Sequence, residues 1–371
     1  MKVGVTGSGG FIGSHLSLLT LSDERVDLVK FDRSFFNSQD LMDLFVKECD
    51  VLIHSASVIK DSEEEFLFNE NVKLTKSITE SIIRTGSKID IIFFSSVHSN
   101  SDSAYGKSKK VSEDILVELS KNEDVNLLIL TLPGIFGENQ KDKYNCVVPT
   151  FCSDILDGNN SLVNEGATVE LLHVRHVIKI CLEYILNKSK NKFEVIVPKG
   201  SIIEIKELYL LIESFGSYRK SGVIPLLRNV FEIDLFNTYR YFDVLKNGVA
   251  TFDIALNSDE RGVLFEVVKS KIQGQVFYSS SKAGVVRGNH YHTRKIERFC
   301  IIGGSGKISV KNLFNGDVIE IDVNGSCPKA VDIPTCYLHS LENIGEKELF
   351  SIFWANEIFD LNDTDTFYLK K

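Results

Sequence analysis

Lys2-Val-Gly-Val-Thr-Gly7-Ser-Gly9-Gly10-Phe-Ile-Gly13 opens the chain, and its reading decides the fold of the first half. Lys2–Thr6 is a short β-type run, Phe11–Leu21 is helix-like, and Gly7, Gly10 and Gly13 punctuate the join. That order predicts a strand, a tight turn and a helix. The glycines answer a specific need: a sharp turn, backbone access to a pyrophosphate, and close packing of helix on strand. Amides at the start of the helix, around Gly10, Phe11, Ile12 and Gly13, would face the phosphates of a dinucleotide.

Outward from this turn, apolar runs recur at Asp27–Phe31, Val51–His54, Ile89–Ser95 and Asn126–Leu130, with helix-like stretches such as Val111–Ser120 between them. Such alternation predicts an α/β Rossmann-type, doubly wound parallel sheet with crossover helices. The segment from about Glu183 to Arg240 reads as mostly helical, Lys206–Ser214 most clearly. The character changes near Asn247. Beyond it short strands alternate with Gly, Asn and Asp turns at Val263–Val268, Val276–Ser279, Phe299–Ile302, Lys307–Val310, Asp317–Ile321, Ala330–Ile333 and Leu349–Phe353. That pattern predicts an all-β antiparallel barrel or sandwich, and a division into residues 1–245 and 246–371.

With 371 residues, 43% of them hydrophobic and 25% charged, the chain has material for two cores. No stretch matches a membrane span or a cleaved leader, and a net charge of −9 argues against nucleic acid as a partner. The seven cysteines are scattered without a CxxC pair, so a reduced, cytoplasmic setting is expected.

Several residues join the glycine turn as candidate cofactor contacts. Asp32 ends the second apolar run, where a carboxylate can hold the ribose diol of NAD, whereas the guanidinium of Arg33 could pair with the 2′-phosphate of NADP. Tyr105-Gly-Lys-Ser-Lys109 places a phenol and an ammonium on one helical face, four residues apart. A lysine beside a tyrosine is expected to lower its pKa and let it exchange a proton with a carbonyl oxygen; the same lysine can hold the nicotinamide ribose. Ser96, after Ile92-Phe-Phe-Ser95, would hydrogen-bond that carbonyl.

A second constellation lies in the β-rich half. His290-Tyr-His292 on a strand points two imidazoles to one face, and Glu297 and His339 would complete a set of three histidines and one carboxylate. Such a set suits Zn first, with Fe, Mn or Ni as alternatives. All the histidines beyond residue 246 (His290, His292 and His339) stand at these positions; the other five are His15, His54, His98, His173 and His176.

The Gly7, Gly10, Gly13 spacing and the Tyr105, Lys109 and Ser96 set resemble the extended short-chain dehydrogenases. Asp50-Val-Leu-Ile-His54-Ser55-Ala56 is similar to their strand beside the adenosine, Asn71-Val72 to the start of their next helix, and Pro133-Gly-Ile-Phe136-Gly137 to their loop under the nicotinamide. Two departures stand out. Only eight residues separate Ser96 from Tyr105, and Val174-Arg-His-Val177 lacks the acidic pair usual there. Gly284 to Gly303 and Pro334 to Asn343 resemble the two cupin motifs, with Pro328 and Cys336 where glycines are usual.

Together with Asp259-Glu-Arg-Gly262, Gly274-Gln-Val276, Arg287-Gly-Asn-His-Tyr-His292 and Phe353-Trp-Ala-Asn-Glu357, these features resemble the bifunctional capsular polysaccharide CapF family over the whole chain. The resemblance implies a UDP-linked 2-acetamido-2,6-dideoxy-hexos-4-ulose as partner, a 4-keto-6-deoxy amino sugar on the route to N-acetyl-L-fucosamine. The cupin would epimerise C3, and the dehydrogenase half would then reduce C4 with NADPH. Two other readings stay open: a single-function reductase or epimerase with a structural cupin, and a cofactor-sensing protein without catalysis. A homodimer is expected by analogy with both parent folds.

Overall fold

The computed structural model describes residues 1–187, 190–260 and 262–370, so Arg261 of the Asp259–Gly262 stretch lies outside the described residues. In the first half, strands β1 (Lys2–Thr6), β2 (Asp27–Val29), β3 (Val51–His54), β4 (Ile89–Ser96) and β5 (Val125–Leu132) alternate with helices α1 (Phe11–Ser22), α2 (Gln39–Glu48), α3 (Glu64–Thr85) and α4 (Ala104–Asn122). Parallel neighbours need crossovers of this length. The sheet is wholly parallel in the order β2-β1-β3-β4-β5, with Phe193–Ile196 added beside β5. Chain direction across the sheet reverses between β1 and β3, and a crevice opens there at the strands' carboxyl ends.

Alternation along each strand divides the core into two layers. Ile92 and Phe94 of β4 pack with Val3, Val5 and Ile53 against Leu16 of α1. Ile91 and Phe93 point the other way, toward Phe45 and Val46 of α2, Ile78 and Ile82 of α3, and Leu116 and Leu119 of α4. Strands covered on both faces must be continuously apolar, and Val51, Leu52 and Ile53 are all buried.

The expected helical stretch from Glu183 to Arg240 is only partly helical. Helices Val174–Leu186, Ile205–Phe215, Tyr218–Ser221 and Val230–Asn247 flank two strands, Phe193–Ile196 in the main sheet and Ser201–Glu204 antiparallel to Thr168–His173. Phe193-Glu-Val-Ile is a β-type run closed by Pro198 and Gly200, and the open edge of β5 gave it a partner that no helical period reveals.

Beyond Asn247 two five-stranded sheets face one another. One orders Thr251–Asp253, Lys329–Ile333, Glu297–Gly303, Leu349–Ala355 and Gln275–Ser281; the other Val318–Asn324, Ser305–Asn312, Tyr337–Asn343, Val286–Tyr291 and Phe367–Tyr368. Every pairing within them is antiparallel. Val263–Val268 departs from expectation: the strand stops at Leu264, and Val268 packs into a separate cluster with Ile296 and Trp354. Cys336, where glycine was the expected residue, takes φ = 61°, a left-handed conformation that costs a side chain energy.

The helix Val230–Asn247 serves both halves. Leu235, Phe236 and Tyr239 enter a cluster with Phe136 and Phe151, while Tyr241 and Val244 enter the barrel core with Phe299 and Ile308. Buried polar ties reinforce the join. Thr335 donates to Glu138 at 2.7 Å, and Arg298, held within the barrel by Asp332 at 2.6 and 2.9 Å, donates across to the Gly222 carbonyl at 2.7 Å. Among the described residues no helix is long and apolar enough to cross a membrane.

Candidate cofactor and metal sites

The glycine turn takes the form its sequence predicts. Gly7 adopts φ = 74° and lies so close to the loop after β3 that an added Cβ would meet Ala56 at 2.9 Å; one on Gly13 would meet the Gly7 carbonyl at 2.1 Å. No side chain caps α1 at Gly10, which leaves its first amides available to an anion. Ser55 and Ala56 form the opposite wall. Thr6 Oγ1 accepts from the Ala56 amide at 3.3 Å and pairs with His54 Nδ1 at 2.9 Å, fixing the two strand ends together. His54 also meets Thr75 at 3.1 Å, and burial draws its pKa down to about 3, so it is a neutral structural residue.

Asp32 lies past the end of β2, where its Oδ1 accepts from the amide and hydroxyl of Ser34 at 2.8 and 2.6 Å. Those bonds hold its carboxyl below the ordinary range. Arg33 is exposed and makes no ion pair among the described residues. Asn71, expected beside the cofactor, is used internally. Its Oδ1 accepts from Val58 N at 2.7 Å and Ser57 Oγ at 3.3 Å, and its Nδ2 donates to Val58 O at 2.9 Å and Ser108 Oγ at 3.1 Å. An amide side chain has two donor hydrogens and two lone pairs, all now engaged. Asn71 therefore shapes the loop after Ala56 and ties it to α4.

Ser96 ends β4 in register with Leu132, next to Pro133, and its Oγ accepts from His98 N at 3.2 Å. Tyr105 sits in the first turn of α4 with Lys109 one turn on. Lys109 Nζ donates to the Phe94 carbonyl at 2.9 Å and lies 5.6 Å from the centre of the Tyr105 ring. The electrostatics correct the expectation of a lowered tyrosine pKa. Burial pushes the phenol up to about 12, and burial draws Lys109 down to about 8 against the attraction of Glu113. Desolvation acts on both groups and here outweighs their proximity.

In the barrel, ligand atoms of His290, His292, Glu297 and His339 all lie within 4.8 Å of one another. Cross-strand register explains this: His290 pairs directly with His339, and Glu297 faces them from the other sheet. His292 Nδ1 lies 2.5 Å from the Asp365 carbonyl and His339 Nδ1 lies 3.2 Å from the Tyr337 carbonyl. A carbonyl only accepts, so both Nδ1 atoms carry hydrogen. Both Nε2 atoms then face Glu297 Oε2, at 3.0 and 3.3 Å. These three atoms and His290 Nδ1 are buried and aligned in no hydrogen bond.

Lone pairs turned toward a carboxylate repel it unless a cation stands between them. A proton or a metal ion is therefore required, and a metal bonded at about 2.0–2.2 Å suits the donor types. Burial opposes charge on Glu297, yet with protons on those nitrogens His292 and His339 would hold its carboxyl well below the usual range. Burial together with the neighbouring imidazoles draws His290 down to about 4. The structure brings His290, His292, Glu297 and His339 together, sets Gly7 against Ala56 and Tyr105 beside Lys109, and turns the Asn71 side chain to the loop after Ala56 and to α4. Sequence reasoning missed Asp365, whose position 73 residues from His292 carries no local signal.

Comparison with known proteins follows the same division. Residues 3–197 match the NAD dependent epimerase/dehydratase family, and residues 257–367 the polysaccharide biosynthesis C-terminal domain. A UDP-2-acetamido-2,6-beta-L-arabino-hexul-4-ose reductase of Pseudomonas aeruginosa is 29% identical over 368 residues, 99% of this chain and 98% of that protein. The crystal structure of the capsular polysaccharide assembling protein CapF from Staphylococcus aureus matches with a TM-score of 0.59 and 28% identity, covering 100% of both chains. The UDP-glucose 4-epimerase of Thermotoga maritima shares the fold, with a TM-score of 0.55 and 18% identity over 66% of this chain and 99% of its own. The resemblance to CapF thus extends over the full length, and through its first half, glycine turn included, the chain belongs to the NAD dependent epimerase/dehydratase family.

Proposed function

We propose that the protein is a bifunctional sugar-nucleotide enzyme, acting on a UDP-2-acetamido-2,6-dideoxy-hexos-4-ulose by epimerising C3 in the barrel and then reducing the C4 ketone in the first half. The order follows from chemistry: a C3 proton is acidic only while C4 is a ketone. The observation that supports a metal in the barrel, and with it a second site, is the pair of Nε2 lone pairs facing Glu297, which call for a cation between them.

His290, His292, Glu297 and His339 would hold the metal, zinc by preference, which when bound polarises a carbonyl as a Lewis acid. In the first half, bound NADPH supplies the hydride. Tyr105 stays protonated through neutral pH and can give its proton to the developing C4 alkoxide, while Ser96 donates a hydrogen bond to the same oxygen. Lys109 anchors α4 to β4 and presents a positive charge beside the phenol. NADPH is preferred over NADH because Asp32 already holds Ser34, while Arg33 has a free guanidinium for a 2′-phosphate.

The test is incubation with a UDP-4-keto-6-deoxy-HexNAc in D2O, without and then with NADPH, followed by NMR. Deuterium should enter at C3 before reduction, and the ketone should disappear only after NADPH is added. Reduction without exchange favours a single-function reductase with a structural barrel, the reading that the name of the Pseudomonas aeruginosa relative supports.

A further inference from the structure

The chain after Asp360 contributes no ligand to the metal set, yet it reaches into that set from behind. Asp365 is buried at 4% exposure and adopts φ = 42°, a conformation that a non-glycine residue holds only when its surroundings impose it. Its carbonyl takes the Nδ1 hydrogen of His292 at 2.5 Å. Its carboxylate accepts from the successive amides of Thr293, Arg294 and Lys295 at 3.1, 3.0 and 2.9 Å, and from Thr293 Oγ1 at 2.6 Å. Thr293–Lys295 belong to the link between the strand of His290 and that of Glu297, so one residue fixes both the tautomer of His292 and the span from His292 to Glu297.

The segment is itself tied at both ends. Arg294 donates to Asp363 Oδ1 at 2.8 Å, and Phe367–Tyr368 pairs with His290 and Tyr291. Further on, Lys370 N donates to the Leu21 carbonyl at the end of α1 at 2.9 Å. Tyr291, between the two ligands, donates to Leu18 O at 3.2 Å and stacks on Phe367.

We infer that Asp365 is a positioning residue for the metal centre, and that Asp363–Lys370 is a strap that makes the four ligands competent to bind. The inference rests on the metal reading above. An imidazole whose second nitrogen donates to a fixed carbonyl offers the metal one tautomer in one orientation, and loss of such a partner weakens metal binding about 10- to 100-fold.

The test is zinc affinity of the full chain, measured against a competing chelator after stripping, for wild type, Asp365→Ala and Asp365→Asn. Asp365→Ala keeps the carbonyl but removes the carboxylate that places it and ties Thr293–Lys295, and should bind zinc about 10-fold more weakly. Asp365→Asn, which keeps an acceptor oxygen, should fall between. Each should bind NADPH as wild type does, and Co2+ in place of zinc should show altered visible absorption bands. Wild-type zinc affinity in a folded Asp365→Ala overturns the strap.

Wild type that takes up no zinc, while still binding NADPH, overturns the metal reading instead. Should both variants misfold, amide exchange of the wild type decides. Zinc loading should protect Thr293–Lys295 together with Asp363–Tyr368, and protection confined to the ligand strands overturns the inference.

Discussion

The cofactor crevice and the barrel centre handle their polar groups in opposite ways. Around the glycine turn nearly every polar side chain is satisfied within the protein: His54 lies between Thr6 and Thr75, all four positions of Asn71 are used, and Lys109 holds Phe94 O. At the turn itself what remains for a dinucleotide is backbone, in the form of the uncapped helix amides and the space that glycines leave. In the barrel the donors converge and stay unsatisfied, with four buried atoms lacking hydrogen bonds. A cofactor that comes and goes is met by a shape stable in its absence. The ion proposed for the barrel would be met by unfinished chemistry.

The contrast can be tested by breaking one side at a time. His290→Ala should abolish C3 deuterium exchange and lower zinc stoichiometry, while reduction of the already epimerised ketone by NADPH persists; loss of both activities in a folded variant would merge the two centres. Tyr105→Phe should do the reverse, lowering the reduction rate by about 10²–10⁴-fold with exchange intact. The pH profile of reduction sharpens the picture. Lys109 is charged below its pKa of about 8, so kcat/KM should fall as pH rises through that value, by about tenfold per unit beyond it. A fall beginning only above pH 10 would show that the lysine is not desolvated in the working enzyme.

Asn71→Ala strips partners from the backbone of Val58 and should cost about 1–3 kcal/mol of stability, read by denaturant unfolding, rather than act through cofactor contacts. The smallest effect belongs to Arg33→Ala. An exposed guanidinium is worth about 1 kcal/mol, so KM for NADPH should rise about three- to tenfold and that for NADH stay level. Equal changes for both would return the ribose to Asp32.

Much of this was legible in the sequence because the requirements are local. A sharp turn followed by close helix packing demands Gly7 and Gly13 within one short stretch, a helical period brings Tyr105 to Lys109, and strand alternation brings His290 to His292. What was not legible depends on distance or on environment. Asp365 reaches His292 from 73 residues further along the chain. Phe193–Ile196 became a strand because β5 had a free edge. The direction of the Tyr105 shift was misjudged because a sequence names a residue's neighbour but not the water it has lost.

The buried seam between the two halves bears on how material moves. Glu138 has no exposure at all, touches His173 at 3.1 Å and takes its hydrogen bond from Thr335, and Asp332 is shared by Arg298 and Tyr218. Swinging one half away from the other would keep both ion pairs but take Thr335 from Glu138, Tyr218 from Asp332 and the Gly222 carbonyl from Arg298, at about 1–3 kcal/mol for each buried group left unpaired. Opening a hinge between the halves would therefore break several buried hydrogen bonds at once. On the proposed two-site reading, a compound worked on first in the barrel would then have to leave it and reach the nicotinamide on its own.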